Sequence, residues 1–235
     1  MVATDAGSNV SLLERVGFFG YRLGGKTMTP DRVAGFSYKY TNCAVIVAHA
    51  ADETLWAGGT LLLHPETRWS IVTVCRENDA DRAAGFQKAL EQYNAKGAMG
   101  DLDDGPEQKP HRTIELEDAI MDLLPSDRYD LILTHGLWGE YAGDKRHEGI
   151  ARAVIALRES ERLAATEVWM FAYEDGGKKY LPRPIDDADV YLRLPKDVWD
   201  QKYEILTHTY GFAPDSVQAK TTPKDETFWL LGKGK

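Results

Sequence analysis

The chain has 235 residues, of which 43% are apolar, 28% charged and 10% aromatic, and its formal net charge is −9. This length favours one large α/β domain, and the composition argues against disordered, collagen-like and coiled-coil proteins. Nucleic acids and anionic membrane surfaces would repel the negative charge, so neither is expected as the main partner. A small molecule or another protein is favoured, and homo-oligomer formation is left open.

No apolar run reaches the roughly 18 to 20 residues of a membrane span, so no membrane span is predicted. The N-terminal residues lack a basic start followed by an apolar block and a cleavage site. We therefore expect no secretory signal and a cytoplasmic location. Cys43 and Cys75 each lie in a β-rich apolar run, which predicts buried structural thiols.

Residues 1–41 contain a short amphipathic stretch and a glycine-rich turn, which predict an N-terminal extension on a main domain of residues 42–235. In that domain, short apolar runs predict buried strands, and helical periodicity lies between them. The alternation predicts a three-layer Rossmann-like parallel sheet with helices on both faces. The predicted strands are 42–48, 69–75, 129–134 and 167–173, and the predicted helices are 55–64, 81–95, 116–124 and 147–163.

Three further segments continue this pattern towards the C-terminus, and one acidic stretch interrupts it. Residues 99–113 carry acidic residues, Pro and Gly, which predict a solvated loop. Residues 187–194 predict a strand, 196–210 a helix and 226–231 an edge strand.

Polar side chains follow three of the predicted strands. Residues 49–53 come directly after the first strand, residues 76–79 after the second, and His135 after the third. Ligands of doubly wound sheets bind beyond the carboxyl ends of the strands, so these residues are candidates for a site. No GxGxxG motif follows a strand, which argues against a nucleotide-binding dehydrogenase or methyltransferase.

A metal site is one interpretation of these residues. His49 and Asp52 lie three residues apart across a predicted strand-to-helix turn, and His147 begins a later helix. A His/Asp/His set with an open position suits a catalytic Zn²⁺. Asp52 and Glu53 can instead cap the helix and stabilise its dipole. Spacing alone favours this capping interpretation.

Two longer strings resemble a known family. AHAADETLWAGG (48–59) resembles the AHPDDExxxxGG signature of the LmbE/PIG-L family of zinc-dependent N-deacetylases. THGLWGEYAGDKRHEGIARAV (134–154) resembles that family's later motif, THxxxGEYGHPDHxxVxRAV. The resemblance implies that His49, Asp52 and His147 bind zinc. It also implies hydrolysis of an N-acyl group, N-acetyl in particular, from an amino-sugar or glycoconjugate.

The chain departs from this family pattern at two catalytic positions. Ala51 stands where the family has its general base, and a methyl group cannot accept a proton. The first histidine of HPDH has no counterpart at that spacing, and Asp144 is the nearest residue. We interpret Ala51 as an inactivating and introduced Asp-to-Ala change, because AHADDE would be a tolerable variant of the motif. The alternative is a metal- and sugar-binding protein that does not turn over its ligand.

The resemblance also suggests roles for residues around the predicted zinc site. Arg82 opens a helix where the family has a substrate-contacting arginine, and a solvated helix arginine is the alternative. His135 matches the family's TH pair and is a candidate catalytic residue. Tyr141 is a candidate donor to the amide oxygen, and Trp138 is a candidate platform for stacking a sugar. For these last three residues, loop or surface packing is the alternative. Glu53 is expected to bond a ligand histidine.

Overall fold

The computed structural model describes residues 40–232 except 106, 108 and 142. Residues 1–39 of the predicted N-terminal extension lie outside the described residues. The strands are β1 (Asn42–Val47), β2 (Arg68–Cys75), β3 (Lys96–Leu102), β4 (Arg128–Thr134), β5 (Ala164–Phe171), β6 (Tyr173–Glu174), β7 (Arg183–Pro184), β8 (Val190–Arg193) and β9 (Asp225–Leu231).

The helices alternate with the first five strands and then continue after β8. In the described residues, no helix is both long and apolar enough to cross a membrane. The helices are α1 (Asp52–Leu63), α2 (Ala80–Tyr93), α3 (Thr113–Leu123), α4 (Lys145–Glu159), α5 (Lys196–Glu204), a π-helical turn (Ile205–Thr209) and α6 (Val217–Thr221).

The main sheet has seven strands in the order β3-β2-β1-β4-β5-β9-β8. Strands β1 to β5 pair in parallel, whereas β9 pairs antiparallel with both β5 and β8. The predicted α/β architecture is thus confirmed, with a mixed rather than a wholly parallel sheet. The prediction of an edge strand at 226–231 is wrong, because β9 has a neighbour on each side.

The prediction of a solvated loop over residues 99–113 is wrong for residues 99–102, which belong to strand β3. It is an edge strand in which Met99 is the only buried residue, so it lacks the apolar run that marks the central strands. Gly97 lets it approach β2 closely, because a Cβ there would lie 2.4 Å from the carbonyl oxygen of Ile71. Backbone pairing rather than side-chain burial therefore defines β3.

The sheet separates two apolar cores, as expected for three layers. In β1, Cys43, Val45 and Val47 face the core built with α1 and α2, and the alternate residues face the core built with α3 and α4. Cys43 and Cys75 are buried free thiols, as predicted.

Strands β1 and β4 are neighbours in the middle of the sheet, and their crossover connections leave in opposite directions. A crevice opens at such a switch point beyond the carboxyl ends of the strands. The residues that follow β1 and β4 therefore face each other across this crevice.

Candidate metal and active site

The chain turns sharply between β1 and α1. Ala51, the residue before the helix, has a φ of 90°, in a left-handed region that side chains rarely adopt and in which Asp and Asn are enriched. The amide of Asp52 donates to the carbonyl of His49 over 3.1 Å, which closes the turn. This conformation brings the side chains of His49 and Asp52 together.

Three potential ligand atoms converge beside this turn. Oδ2 of Asp52 lies 3.2 Å from Nδ1 of His49 and 3.3 Å from Nε2 of His147, at the start of α4. In tetrahedral zinc sites with bonds of about 2.0–2.2 Å, neighbouring ligand atoms lie about 3.3 Å apart. Two imidazole nitrogens and a carboxylate oxygen at these separations fit a zinc ion, and His49, Asp52 and His147, as candidate metal ligands, are called the ligand set below.

Glu140 joins two histidines of the site. Its Oε2 lies 2.6 Å from Nδ1 of His147 and 2.8 Å from Nδ1 of His135, and its Oε1 accepts the amide of Gly136. Burial opposes its ionisation, but the hydrogen bonds of the two histidines, together with their positive charge when they are protonated, lower the pKa of Glu140 to about 2. When His147 is neutral and its Nδ1 donates to this carboxylate, the lone pair of its Nε2 faces Asp52.

His135 lies in the site, but both of its ring nitrogens are engaged. Its Nε2 accepts the amide of Ala48 over 2.9 Å, so Nδ1 carries the proton that is donated to Glu140. The ring is fully buried and stacks on His147 with centroids 3.8 Å apart. His135 therefore positions Glu140 and His147 and has no free ring nitrogen for a substrate.

Asp104 contacts the outer side of His49, 3.1 Å from its Nε2. Arg76 holds the same Asp104 oxygen at 2.5 Å, and Arg146 lies 3.5 Å from the other oxygen. Burial opposes ionisation of Asp104, but contacts with His49 and Arg76 lower its pKa to about 2. The sequence interpretation missed Asp104, because it lies in an acidic segment that resembles a solvated loop.

The charge of the site favours an ionised Asp52. Burial opposes this ionisation, but the positive charge of His147 in its protonated, metal-free form and hydrogen bonds from His49 and His147 hold the pKa of the Asp52 carboxyl well below its usual value. The side chain is thus a carboxylate, the form that binds a metal.

Glu53 does not bond a histidine, in contrast to the prediction. Its carboxylate accepts the amide of Ala51 and the hydroxyls of Thr54 and Tyr210, at 2.6 to 2.9 Å. It points away from the ligand set because it follows Asp52 on α1, and it holds the backbone of the left-handed turn. Glu140, which the sequence interpretation left without a role, bonds the ligand histidine instead. Its place in GEY, between His135 and His147, is the signal that could have identified it.

Tyr141 and Asp144 border the ligand set. The ring of Tyr141 lies 5.9 Å from the ring of His147, and its buried hydroxyl forms no hydrogen bond with the described residues. Burial and nearby carboxylates raise the pKa of Tyr141, so it remains a donor. Asp144 caps α4 through Oδ1, which accepts the amides of Arg146 and His147.

Arg82 and Trp138 follow β2 and β4 at the edge of the sheet that carries the ligand set, but neither belongs to that set. Arg82 stacks over Phe212 at 4.3 Å, and its buried Nη1 donates no hydrogen bond to the described residues. Trp138, in the loop after β4, is 58% exposed. The Nη1 group of Arg82 can therefore donate to a ligand. Much of the indole ring of Trp138 is accessible to solvent.

Neither protein-family models nor curated protein sequences match this chain, but solved structures share its fold. An N,N'-diacetylchitobiose deacetylase from Pyrococcus horikoshii is 12% identical, with a TM-score of 0.59 over 82% of this chain and 84% of the deacetylase. A teicoplanin deacetylase in a zinc-inhibited form is 14% identical, with a TM-score of 0.57 over 81% and 97%. The 4-carboxy-2-hydroxymuconate hydratase GalB from Pseudomonas putida KT2440 is 20% identical, with a TM-score of 0.53 over 83% and 98%. This chain therefore has the fold of these deacetylases and of this hydratase.

Proposed function

We propose that the protein is a zinc-dependent hydrolase that removes an N-acyl group, acetyl in particular, from an amino-sugar or glycoconjugate. The observation that carries this proposal is the convergence of Nδ1 of His49 and Nε2 of His147 on Oδ2 of Asp52, at 3.2 and 3.3 Å. Deacetylases among the structural neighbours support the reaction class. Because fold alone does not determine function, the proposal rests on the side chains.

Each side chain of the site has a task in this reaction. Zinc, when bound, polarises a carbonyl group and lowers the pKa of water to about 7. Glu140 orients His147 towards the metal position. The hydroxyl of Tyr141 donates to the acyl oxygen as negative charge develops there. Arg82 and Trp138 bind the sugar by hydrogen bonding and stacking.

Position 51 separates this proposal from a second candidate, a metal- and sugar-binding protein without turnover. Ala51 favours that candidate, because it leaves the turn before Asp52 without a proton acceptor. Ala51→Asp tests the two. We expect it to raise release of free amine from N-acetyl amino-sugars, by up to the roughly 10²- to 10⁴-fold that a placed general base contributes.

Ala51→Asn is the matched control, because Asn tolerates the same left-handed backbone but cannot accept the proton. Zinc content, measured by elemental mass spectrometry, should be one equivalent in all three proteins. If Ala51→Asp binds zinc but releases no amine from a panel of N-acetyl glycosides, the binding protein replaces the hydrolase as our conclusion. Absence of zinc from every form would refute both candidates.

A further inference from the structure

We propose that Asp144 accepts the proton of the attacking water in the chain with Ala51, so that this chain hydrolyses its substrate without a carboxylate at position 51. This inference rests on the proposed hydrolase function. It concerns the residue that lies nearest to the position where the family motif has a histidine rather than a carboxylate.

The other carboxylates around the site are committed to protein partners. Glu53 and Glu140 each accept three hydrogen bonds, Asp104 is paired with Arg76, and Asp52 belongs to the ligand set. Oδ2 of Asp144 accepts no hydrogen bond from the part of the chain that the structure describes. A proton acceptor needs such a free lone pair.

The geometry of Asp144 aims this free oxygen at the site. Oδ1 is fixed by the amides of Arg146 and His147, at 3.0 and 3.2 Å. Oδ2 then lies 3.7 Å from Nε2 of His147, and the side chain is 17% exposed, so water can reach it. The tight three-residue ligand groups found among the described residues do not include Asp144. Its position therefore suits a base beside the metal position better than a ligand.

The proposed step conserves atoms and charge. The water oxygen attacks the acyl carbon of the amide, and one water proton passes to Oδ2 of Asp144. The bond between the acyl carbon and nitrogen then breaks, and Asp144 returns the proton to the departing nitrogen. The second water proton leaves the new carboxylic acid and is taken up by the amine, so acetate and the protonated amine are the products and Asp144 is again a carboxylate.

Asp144→Asn tests the proposal in two backgrounds, the chain with Ala51 and the Ala51→Asp variant. Asn keeps an oxygen for the helix cap but cannot accept the proton. We expect amine release to fall by about 100-fold or more with Ala51, and by less than about threefold in the Ala51→Asp background, where the introduced carboxylate supplies the base. Zinc affinity from chelator competition should stay within about twofold, and the urea midpoint should not change.

Asp122→Asn is the control for an Asp-to-Asn change, because Asp122 lies at an exposed position of α3 and outside the ligand set. It should leave amine release unchanged. Equal losses in both backgrounds, a lower zinc affinity in Asp144→Asn, or unchanged amine release with Ala51 would each refute the role of Asp144. If the chain with Ala51 is inactive while Ala51→Asp is active, this inference fails and the hydrolase proposal stands. If both bind zinc and neither is active, the hydrolase proposal fails as well.

Discussion

Two clusters of buried charge lie at opposite ends of α1. At its N-terminus, the site gathers Asp52, Glu140 and three histidines. Near its C-terminal half, Lys202 of α5 pairs with Glu226 of β9 at 2.7 Å, and both side chains are fully buried. Glu226 also accepts two backbone amides and one hydroxyl of α1. In this second cluster the charges cancel and the protein itself supplies the hydrogen bonds.

The difference shows which buried charges indicate a ligand. The carboxylate of Glu226 is held by donors on both of its oxygens, and Gly58 makes room for the lysine stem, since a Cβ there would lie 3.2 Å from Cγ of Lys202. At the site, by contrast, imidazole nitrogens and a carboxylate oxygen converge as acceptors, a costly arrangement unless a cation or proton lies among them. Convergence of acceptors, rather than burial of charge, distinguishes the functional cluster.

The largest expected effect concerns the structural pair. Glu226→Gln leaves the Lys202 ammonium buried without its counter-charge, so we expect a loss of about 3–5 kcal/mol in the free energy of unfolding, measured by urea titration. Lys202→Met should lower the free energy of unfolding by a smaller amount, because three other donors still hold Glu226. Zinc affinity should not change in either variant that remains folded. A large change in zinc affinity would show that the two clusters are coupled.

His147→Ala removes one ligand from the other cluster. Structural zinc sites with four ligands bind with about 10–16 kcal/mol, or roughly 2.5–4 kcal/mol per ligand, so we expect an affinity loss of about 10²- to 10³-fold. Dialysis against a mild chelator followed by elemental analysis measures it. His208→Ala, at an exposed position, is the control. A His147→Ala protein that kept one equivalent of zinc would disprove the ligand set.

Glu140→Gln tests whether the site depends on a positioning residue. Gln carries no negative charge and is a weaker acceptor for the hydrogen bonds from the two histidines. Zinc affinity should therefore fall by about 10- to 100-fold. Glu159→Gln, at the exposed end of α4, should leave the affinity unchanged. Chelator competition provides the comparison, and equal affinities for the two variants would contradict the role of Glu140.

The last expected effect, on acid stability, lies outside both clusters. Burial lowers the pKa of His64 to about 4, against an ordinary value of 6.5. The unfolded chain therefore binds this proton first, so stability falls as the pH drops from about 6.5 to 4, by at most about 1.4 kcal/mol per pH unit. His64→Leu should flatten urea midpoints over this window. An unchanged pH slope would show that His64 does not contribute.

Local sequence determined the central elements of this fold. The short apolar runs of β1 and β4 predict buried strands, and Pro65 and Pro125 lie just beyond the ends of α1 and α3 because proline cannot continue a helix. His49 and Asp52 are three residues apart in the sequence, and the turn after β1 is enough to bring their side chains together. These features depend on residues that are close together in the sequence, so they can be predicted from sequence patterns.

Tertiary structure alone decided the features that join distant segments. Asp104 reaches His49 only because β3 pairs at the edge of the sheet, and Lys202 meets Glu226 only because α5 packs beside α1 and β9. Likewise, β9 is an interior strand rather than the predicted edge strand because it pairs with both β5 and β8. No local periodicity encodes such contacts, because their energy comes from desolvation and pairing between groups that are far apart in the chain and become neighbours on folding.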